Sequence, residues 1–228
     1  MSSPTTASAA AGQGRPAATG RRSPGRPPMS LGRIVDAAIE LADEHGGEAL
    51  TLRAVAQRLG SSTATLYRHL DGRAALIGLV VDRVLGEALV DETALAALSW
   101  EDACRRLAVA MFEALSRHRR SVSLMTEQTP VGPNMMALRE LSVSTLLHHG
   151  FPPETAARFS VILTRYVLGF AMQVRDDKPA SGSVMTSEVP DADRYPGIVA
   201  VASYWPTPLE DEFRYGLDLL ILGLPRHP

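Results

Sequence analysis

Apolar residues recur at intervals of three or four along most of the chain, and no segment alternates apolar with polar residues. A helix repeats about every 3.6 residues and a half-buried strand every two, so this spacing predicts amphipathic helices and no sheet. We therefore assign the chain to the all-α class. The predicted helices span residues 30–45, 52–59, 63–70, 74–89, 100–120, 135–149, 154–174, 192–204 and 208–224, with a short helix and a loop between 121 and 133. We expect Ser99, Asn134 and Thr207 to cap the helices that begin at residues 100, 135 and 208.

The stretch over residues 50–76 predicts two short helices joined by a tight turn, and it reads LTLRAVAQRLGSSTATLYRHLDGRAAL. We expect Thr51 to cap the first helix and Gly60 to follow its end, because glycine tolerates a left-handed backbone. Ser61 and Ser62 offer oxygens that can cap the second helix. A helix, a turn containing glycine and a second short helix form the outline of a helix-turn-helix. With the helix before it, this stretch predicts an N-terminal three-helix domain.

The second of these helices carries side chains suited to the major groove of DNA. Leu66 and Leu70 are four residues apart and face the core, which leaves the other side chains outside. Threonine can bond a base or contact a thymine methyl, and arginine binds guanine or phosphate. A solvated polar face on a small helical bundle is the competing interpretation. The candidate DNA-binding residues are Arg26, Thr51, Arg53, Ser62, Thr63, Ala64, Thr65, Tyr67, Arg68, His69 and Arg73.

This stretch resembles the DNA-binding domain of the TetR family of bacterial transcription regulators, through LTLRAVAQRLGSSTATLYRHL and the following polar turn and AL. Two later segments resemble the C-terminal domain of the tetracycline-repressor subgroup, namely FPPETAARFSVILTRYVLGF and FRYGLDLLILGL. The resemblance implies a regulator of transcription, most often a repressor, that binds double-stranded DNA. It also implies a larger helical domain for ligand binding and dimerisation, and release from a palindromic operator by a small-molecule effector.

The helices near residues 154–174 and 208–224 are apolar over more than one face. The resemblance implies that they pair with their copies in a homodimer, and two-fold symmetry would place two reading helices on a palindromic site. A monomer with a thick core is the alternative explanation of the same pattern.

The resemblance further implies an effector pocket in the body of each subunit. Walls that carry methionine adapt to varied apolar molecules. The effector itself is not identified by the sequence, and each candidate also fits an ordinary core or surface position. The candidate lining residues are Trp100, Phe112, His118, Met125, Gln128, Met136, Arg139, Arg165, Met172 and Gln173.

Two departures from the tetracycline repressors bear on the effector. Those proteins carry a histidine at the end of the linking helix, where this chain has Leu89. They also carry a His-Leu-Gly-Thr run before a proline, where residues 125–130 read MTEQTP. We therefore expect no binding of magnesium-tetracycline, and we expect neither a metal site nor a cofactor.

Charge divides the chain unevenly. Residues 1–76 hold nine Arg or Lys against six Asp or Glu, and residues 77–228 hold fourteen against nineteen. A basic N-terminal part and an acidic C-terminal part fit a nucleic-acid-binding domain joined to a body that binds a ligand or a partner. We divide the chain into a disordered basic arm over 1–29, a helix-turn-helix domain over 30–76 and a helical body over 77–228. The arm can lie in a minor groove or act as a disordered tail with non-specific phosphate attraction.

Other function classes lack support in the sequence. Cys104 is the only cysteine, so no disulfide can form within the chain, and the sequence contains no phosphate-binding glycine loop and no HExxH motif. We expect a chain that is not an enzyme. The sequence has no long uncharged apolar run of the kind that predicts a membrane span, and its first residues lack the apolar core of a secretion signal. The expected location is therefore the cytoplasm. An architectural DNA-binding protein without effector control is the rival function.

Overall fold

The computed structural model describes residues 29–127, 132–175 and 191–224. The described residues contain helices and no β-strand, which confirms the all-α class. The helices are α1 Leu31–His45, α2 Leu52–Arg58, α3 Thr63–Tyr67, α4 Gly72–Gly86, α5 Glu92–Ala96, α6 Trp100–Arg117, α7 Leu124–Glu127, α8 Pro133–His148, α9 Pro153–Ala171, α10 Pro196–Val201 and α11 Leu209–Leu222. Single 3-10 turns lie at Gly47–Ala49, Arg119–Ser121 and Ala202–Tyr204.

The first three helices begin where their capping residues predict. The side chains of Ser30, Thr51 and Ser62 each accept a hydrogen bond from the backbone N–H three residues later. Such a bond satisfies one of the amides that a helix start leaves unpaired. Gly46 and Gly60 follow α1 and α2 with positive φ angles of 88° and 58°, as expected of glycine after a helix end.

The third helix is shorter than the pattern predicts, because α3 ends at Tyr67 and not at Leu70. The amides of Arg68 and His69 bond carbonyls three residues back instead of four. This tighter last turn carries the chain into the turn before α4. Leu66 and Leu70 are nevertheless both buried, so the inward face of this segment is as predicted.

The body contains one helix that the sequence analysis missed. Helix α5 begins after Asp91, whose carboxylate accepts hydrogen bonds from the amides of Thr93 and Ala94. Ser99 caps α6 as predicted, by accepting from the amide of Asp102. Cys104 lies in the core of α6, where burial raises the pKa of its thiol to about 12. This cysteine is therefore a small buried apolar residue.

Helix α8 is capped from another helix, and not by Asn134 as the sequence suggests. It begins at Pro133, and the buried Asp82 of α4 supplies the acceptor. One carboxylate oxygen of Asp82 accepts from the amide of Met135 at 3.0 Å, and the other accepts from the side-chain amide of Asn134 at 3.1 Å. A Cβ atom on Gly132 would lie 2.2 Å from this carboxylate, so glycine is required for the close approach.

Replacing Asp82 by alanine should lower the free energy of unfolding by about 2–4 kcal/mol, because it leaves buried donors at the start of α8 without an acceptor. Denaturant unfolding followed by circular dichroism measures the loss. Asp193→Ala is the matched control, since Asp193 is an exposed carboxylate in the turn before α10 and should change stability by less than about 0.5 kcal/mol. Equal stability of the Asp82 variant and the parent would contradict this role.

The last helices pack around α6. Both α9 and α11 contact α6 and each other, through buried residues such as Phe159, Leu163, Phe213 and Leu217. The predicted cap of the last helix is wrong: α11 begins at Leu209, and the Thr207 hydroxyl bonds the carbonyl of Tyr204 instead. No helix among the described residues combines the length and the apolar character needed to cross a bilayer.

Candidate functional site

Helix α3 exposes polar side chains on one face and is anchored in the core by its opposite face. Leu66 is fully buried, whereas Tyr67 is 59% exposed. Because the leucine fixes the helix on the core, the outward side chains are held by a rigid support rather than by a loop. The exposed residues of this surface are Ser62, Thr63, Ala64, Tyr67, Arg68 and His69.

Three predicted DNA-binding residues have hydroxyl groups that form hydrogen bonds at the helix starts. The hydroxyls of Thr65 and Ser62 lie 3.0 Å apart, and Thr65 is only half exposed. The oxygen of Thr51 accepts from the amide of Ala54 at 3.1 Å. These hydroxyls are therefore partly committed to capping. Arg53 on α2 is exposed beside this surface, and Arg26 lies outside the described residues.

Arg73, a candidate DNA-binding residue in the sequence, has partners within the protein. Its Nε donates to the carbonyl of Leu50 at 2.8 Å, and its guanidinium pairs with Glu127 at the end of α7. The hydrogen bonds from Arg73 raise its pKa and lower the pKa of Glu127. Its guanidinium thus connects the N-terminal helices to the body.

A cavity of about 190 Å³ lies inside the body, between α4, α6, α7, α8 and α9. Its wall is mainly apolar and includes three methionines, with two arginines and two hydroxyls. A narrower recess of about 20 Å³ lies beside it between α6, α8 and α9 and shares part of its wall. The lining residues are Leu85, Met111, Leu115, Met125, Met135, Arg139, Ser160, Val161, Thr164, Arg165 and Leu168.

Three of the ten predicted lining residues lie in this cavity: Met125, Arg139 and Arg165. Trp100 instead packs edge-on against Phe151, with ring centroids 4.9 Å apart. Phe112 stacks on Phe213 at 4.3 Å. Phe112 and Phe213 line a separate, more open cavity between α6 and α11. Helical spacing locates an apolar face without telling which part of it borders empty space, so a role for these aromatic residues in ligand binding stays a prediction.

The remaining predicted lining residues are also outside the cavity. Met136 and Met172 are more than half exposed, and the Gln173 side chain donates to the carbonyl of Gly169 at 3.2 Å. Gln128 lies outside the described residues. His118 occupies a different site, at the contact between the N-terminal helices and the body.

His118 lies between two carboxylates. Its Nδ1 is 2.7 Å from Asp43 Oδ2 at the end of α1, and its Nε2 is 2.9 Å from Glu87 Oε1 after α4. Ser121 donates to the other oxygen of Asp43 at 2.8 Å, and Arg117 donates to Glu87 at 2.9 Å. We call these five residues the His118 junction; it connects α1, α4 and α6.

Two pKa values in the His118 junction are shifted. Burial lowers the pKa of His118, but the hydrogen bonds to Glu87 and Asp43 outweigh burial and raise it overall. Burial raises the pKa of Glu87, and the hydrogen bonds from His118 and Arg117 outweigh that effect and lower it. Both shifts favour an imidazolium between two carboxylates.

Sequence reasoning missed the acidic members of these contacts. Asp43 and Glu44 sit at the C-terminal end of α1, where negative charge is unfavourable against the helix dipole. That placement was the available signal, because it calls for a cationic partner. The structure supplies His118 for Asp43 and Arg58 for Glu44. No comparable signal marks Asp82 or Glu127.

Comparison with known families agrees with this architecture. A family profile described as "Bacterial regulatory proteins, tetR family" matches residues 34–80. A second, described as "Tetracyclin repressor-like, C-terminal domain", matches residues 94–227, which is more than half of the chain. The first covers α1 to α3 and the start of α4, and the second covers the body from within α5 onward.

Individual relatives have the same organisation. The HTH-type transcriptional repressor DrrR1 of Streptomyces coeruleorubidus is 27% identical over 222 residues, which cover 90% of this chain and 82% of that protein. The structure resembles ActR of Streptomyces coelicolor in complex with actinorhodin, with a TM-score of 0.76, 26% identity, and coverage of 87% of this chain and 96% of ActR.

A third relative is a TetR transcriptional regulator of known structure from Streptomyces coelicolor. It is 32% identical with a TM-score of 0.71, and the match covers 86% of this chain and 97% of that one. The two profile matches and these relatives span both the N-terminal helices and the body. This chain therefore belongs to the TetR family and is a DNA-binding transcriptional regulator.

Proposed function

We propose that two copies of this chain bind a palindromic operator through α3 and that a small-molecule effector in the body cavity releases them. The observation that carries the DNA-binding step is the exposed surface of α3, which is held on the buried Leu66. The proposed DNA-binding residues are Arg26, Thr51, Arg53, Ser62, Thr63, Ala64, Thr65, Tyr67, Arg68 and His69. Arg73 acts in this proposal as a connection to the body.

We assign one proposed role to each of three successive parts of the chain. Residues 1–29 form a basic arm, residues 30–76 read DNA, and residues 77–228 bind the effector and the second copy. Repression is the proposed sign of regulation, because the relative DrrR1 is named a transcriptional repressor. The complex of ActR with actinorhodin supports control by a small-molecule ligand. The two departures from tetracycline repressors argue against magnesium-tetracycline as that ligand.

Exposed apolar faces on α9 and α11 support a homodimer. Val161 and Ile162 are each 47% exposed, and Leu219 and Leu222 are 53% and 70% exposed. Both helices pack on α6 through their opposite faces. Apolar faces of this kind on neighbouring helices favour burial against a second copy, and a two-fold dimer would place two α3 helices about 34–36 Å apart on DNA.

Ile162→Glu should convert the dimer to a monomer, because it places a charge in an interface that must be dry. Sedimentation at micromolar concentration measures the mass against that of one chain, 24.5 kDa. Leu147→Glu is the matched control: Leu147 is a similarly exposed apolar residue on α8, which is not one of the two proposed interface helices, and its variant should remain dimeric. A parent that sediments as a monomer would contradict the proposed assembly.

Helices α4 and α7 are the proposed route from the cavity to the DNA-binding helices. Leu85 of α4 and Met125 of α7 both line the cavity. On α7, Leu124 packs so closely on Gly47 that a Cβ there would lie 2.8 Å from its side chain, and Glu127 pairs with Arg73. A ligand that moves Met125 therefore acts on residues that touch the N-terminal helices. Release requires that the ligand bind the two states unequally.

Selection of bound sites from random duplexes tests the proposal. We expect a palindromic sequence with half-sites one helical turn apart, bound at least about a thousandfold more tightly than unrelated DNA. The architectural alternative predicts little preference between sequences, and it gives no role to the cavity. Screening small molecules for loss of binding to the selected duplex then tests effector control.

A further inference from the structure

The charged side chains that line the body cavity are all cationic. Arg139 of α8 and Arg165 of α9 line its wall, and no carboxylate does so among the described residues. Both arginines are exposed in the single chain, and they border an otherwise apolar cavity. A pair of cations without an anion is an incomplete arrangement that a negatively charged ligand can complete.

The contrast with other arginines of the body supports this view. Arg105, Arg117 and Arg214 each donate to a carboxylate within 3.0 Å. Arg139 and Arg165 make no hydrogen bond or ion pair within the part of the chain that the structure describes. A guanidinium presents a planar set of donors that matches a carboxylate or a similar oxyanion, so these two are free to take one from a ligand.

A buried hydroxyl gives independent support for a ligand. Ser142 is 8% exposed and lines the inner recess, and its Oγ has no hydrogen-bond partner among the described residues. A buried polar atom without a partner is costly, and such atoms call for an explanation such as a bound molecule. The recess shares Arg139 and Thr164 with the main cavity, so this hydroxyl lies in the wall next to the two arginines.

The rest of the cavity wall is apolar and favours a ligand that is itself mostly apolar. Met111, Met125 and Met135 come from three different helices, and Leu115 and Leu168 complete their surface. Methionine side chains are flexible and polarisable, so they fit flat or irregular apolar molecules. A small inorganic anion would leave this surface uncovered.

We propose that the effector is an organic anion with an apolar body, whose charged oxygens bind Arg139 and Arg165 while its body lies against the methionines. This inference rests on the proposed function in taking this cavity as the effector site. It adds the chemical class of the ligand, and it can be tested without DNA.

Two fluorescent probes of nearly the same shape test the proposal on the full chain. They are 1-anilinonaphthalene-8-sulfonate and N-phenyl-1-naphthylamine, which share their ring system and differ by the sulfonate. We expect one high-affinity site per chain for the sulfonate, with a Kd at least about tenfold below that of the neutral probe. Arg139→Gln and Arg165→Gln should each weaken the sulfonate about tenfold and leave the neutral probe unchanged.

Arg106→Gln is the matched control, because Arg106 is an exposed arginine of α6 outside the cavity, and it should change neither affinity. Sedimentation of each variant checks its assembly, since Arg165 shares the outer face of α9 with Ile162. Equal affinities for the two probes, equal losses for both probes, or a loss explained by a change of assembly would each overturn the proposal. If the sulfonate binds as expected and no ligand releases the operator, the ligand class stands and the proposed release fails.

Discussion

Exchange of both Tyr67 and Arg68 for alanine should weaken operator binding by about 3 kcal/mol, roughly two orders of magnitude in Kd. Each side chain is exposed on α3, and a specific arginine–base contact alone contributes about 1–3 kcal/mol. The fold should be unchanged, because the anchors Leu66 and Leu70 are untouched. Binding is measured by fluorescence anisotropy with the selected duplex and a scrambled one, at one fixed salt concentration.

Two controls make this expectation specific. Arg106→Ala removes an exposed cation of α6 and should leave binding unchanged. Arg53→Ala removes a proposed DNA-binding cation of α2. Because Arg53 lies outside α3, we expect it to contact phosphate, so its loss should weaken the selected and the scrambled duplex to the same degree. A folded Tyr67/Arg68 double variant with the affinity and selectivity of the parent would remove α3 from the proposed reading surface.

His118→Gln should lower the free energy of unfolding by about 2 kcal/mol at pH 6. The variant loses a cation bonded to both Asp43 and Glu87, and hydrogen bonds to charged groups are worth about 1.5–3 kcal/mol each. The His118 side chain is only 15% exposed, so solvent screens these bonds weakly. A loss of this size should lower Tm by about 4–8 °C.

The same contact makes stability depend on pH in a stated direction. The pKa of His118 is raised in the folded protein, so its contribution is fully present below the ordinary histidine value of about 6.5 and is lost as pH rises through the folded pKa. The pKa of Glu87 is lowered, so its contribution is present above the ordinary glutamate value and is lost as pH falls through the folded pKa. The His118 junction should therefore stabilise the fold most between about pH 4.5 and 6.5.

Thermal unfolding from pH 5 to 9 measures this dependence. The difference in Tm between the parent and His118→Gln should be largest near pH 6 and should shrink above the folded pKa of His118. His148→Gln is the control, because His148 is exposed at the end of α8 and its variant should match the parent at every pH. A difference between parent and His118→Gln that is constant with pH would contradict an imidazolium in the His118 junction.

Much of the fold could be predicted because the signals that start helices act over three residues. Thr51, Ser62 and Ser99 cap the helices that the pattern assigned to them. Apolar spacing also identified the buried face of α3. The caps that failed, at Asn134 and Thr207, had suitable side chains with other partners: Asn134 bonds Asp82 and Thr207 bonds the carbonyl of Tyr204.

The cavity was the least predictable part. Helical spacing correctly placed apolar side chains toward the interior, yet Trp100 and Phe112 fill space against other aromatic rings while Met111 and Met135 line the void. Whether an inward residue packs or borders a cavity depends on how several helices approach one another. That approach is set by all their side chains together, so no single segment contains it.

The sequence by itself determined the helical class, most helix starts and the outward surface of α3, because each depends on residues within about one turn of one another. Only the tertiary structure decided which charges meet. His118 and Asp43 are separated by 75 positions, and Asp82 and Asn134 by 52. Contacts over such distances exist only after the helices pack, and packing also left Arg139 and Arg165 beside an apolar cavity without a carboxylate partner among the described residues.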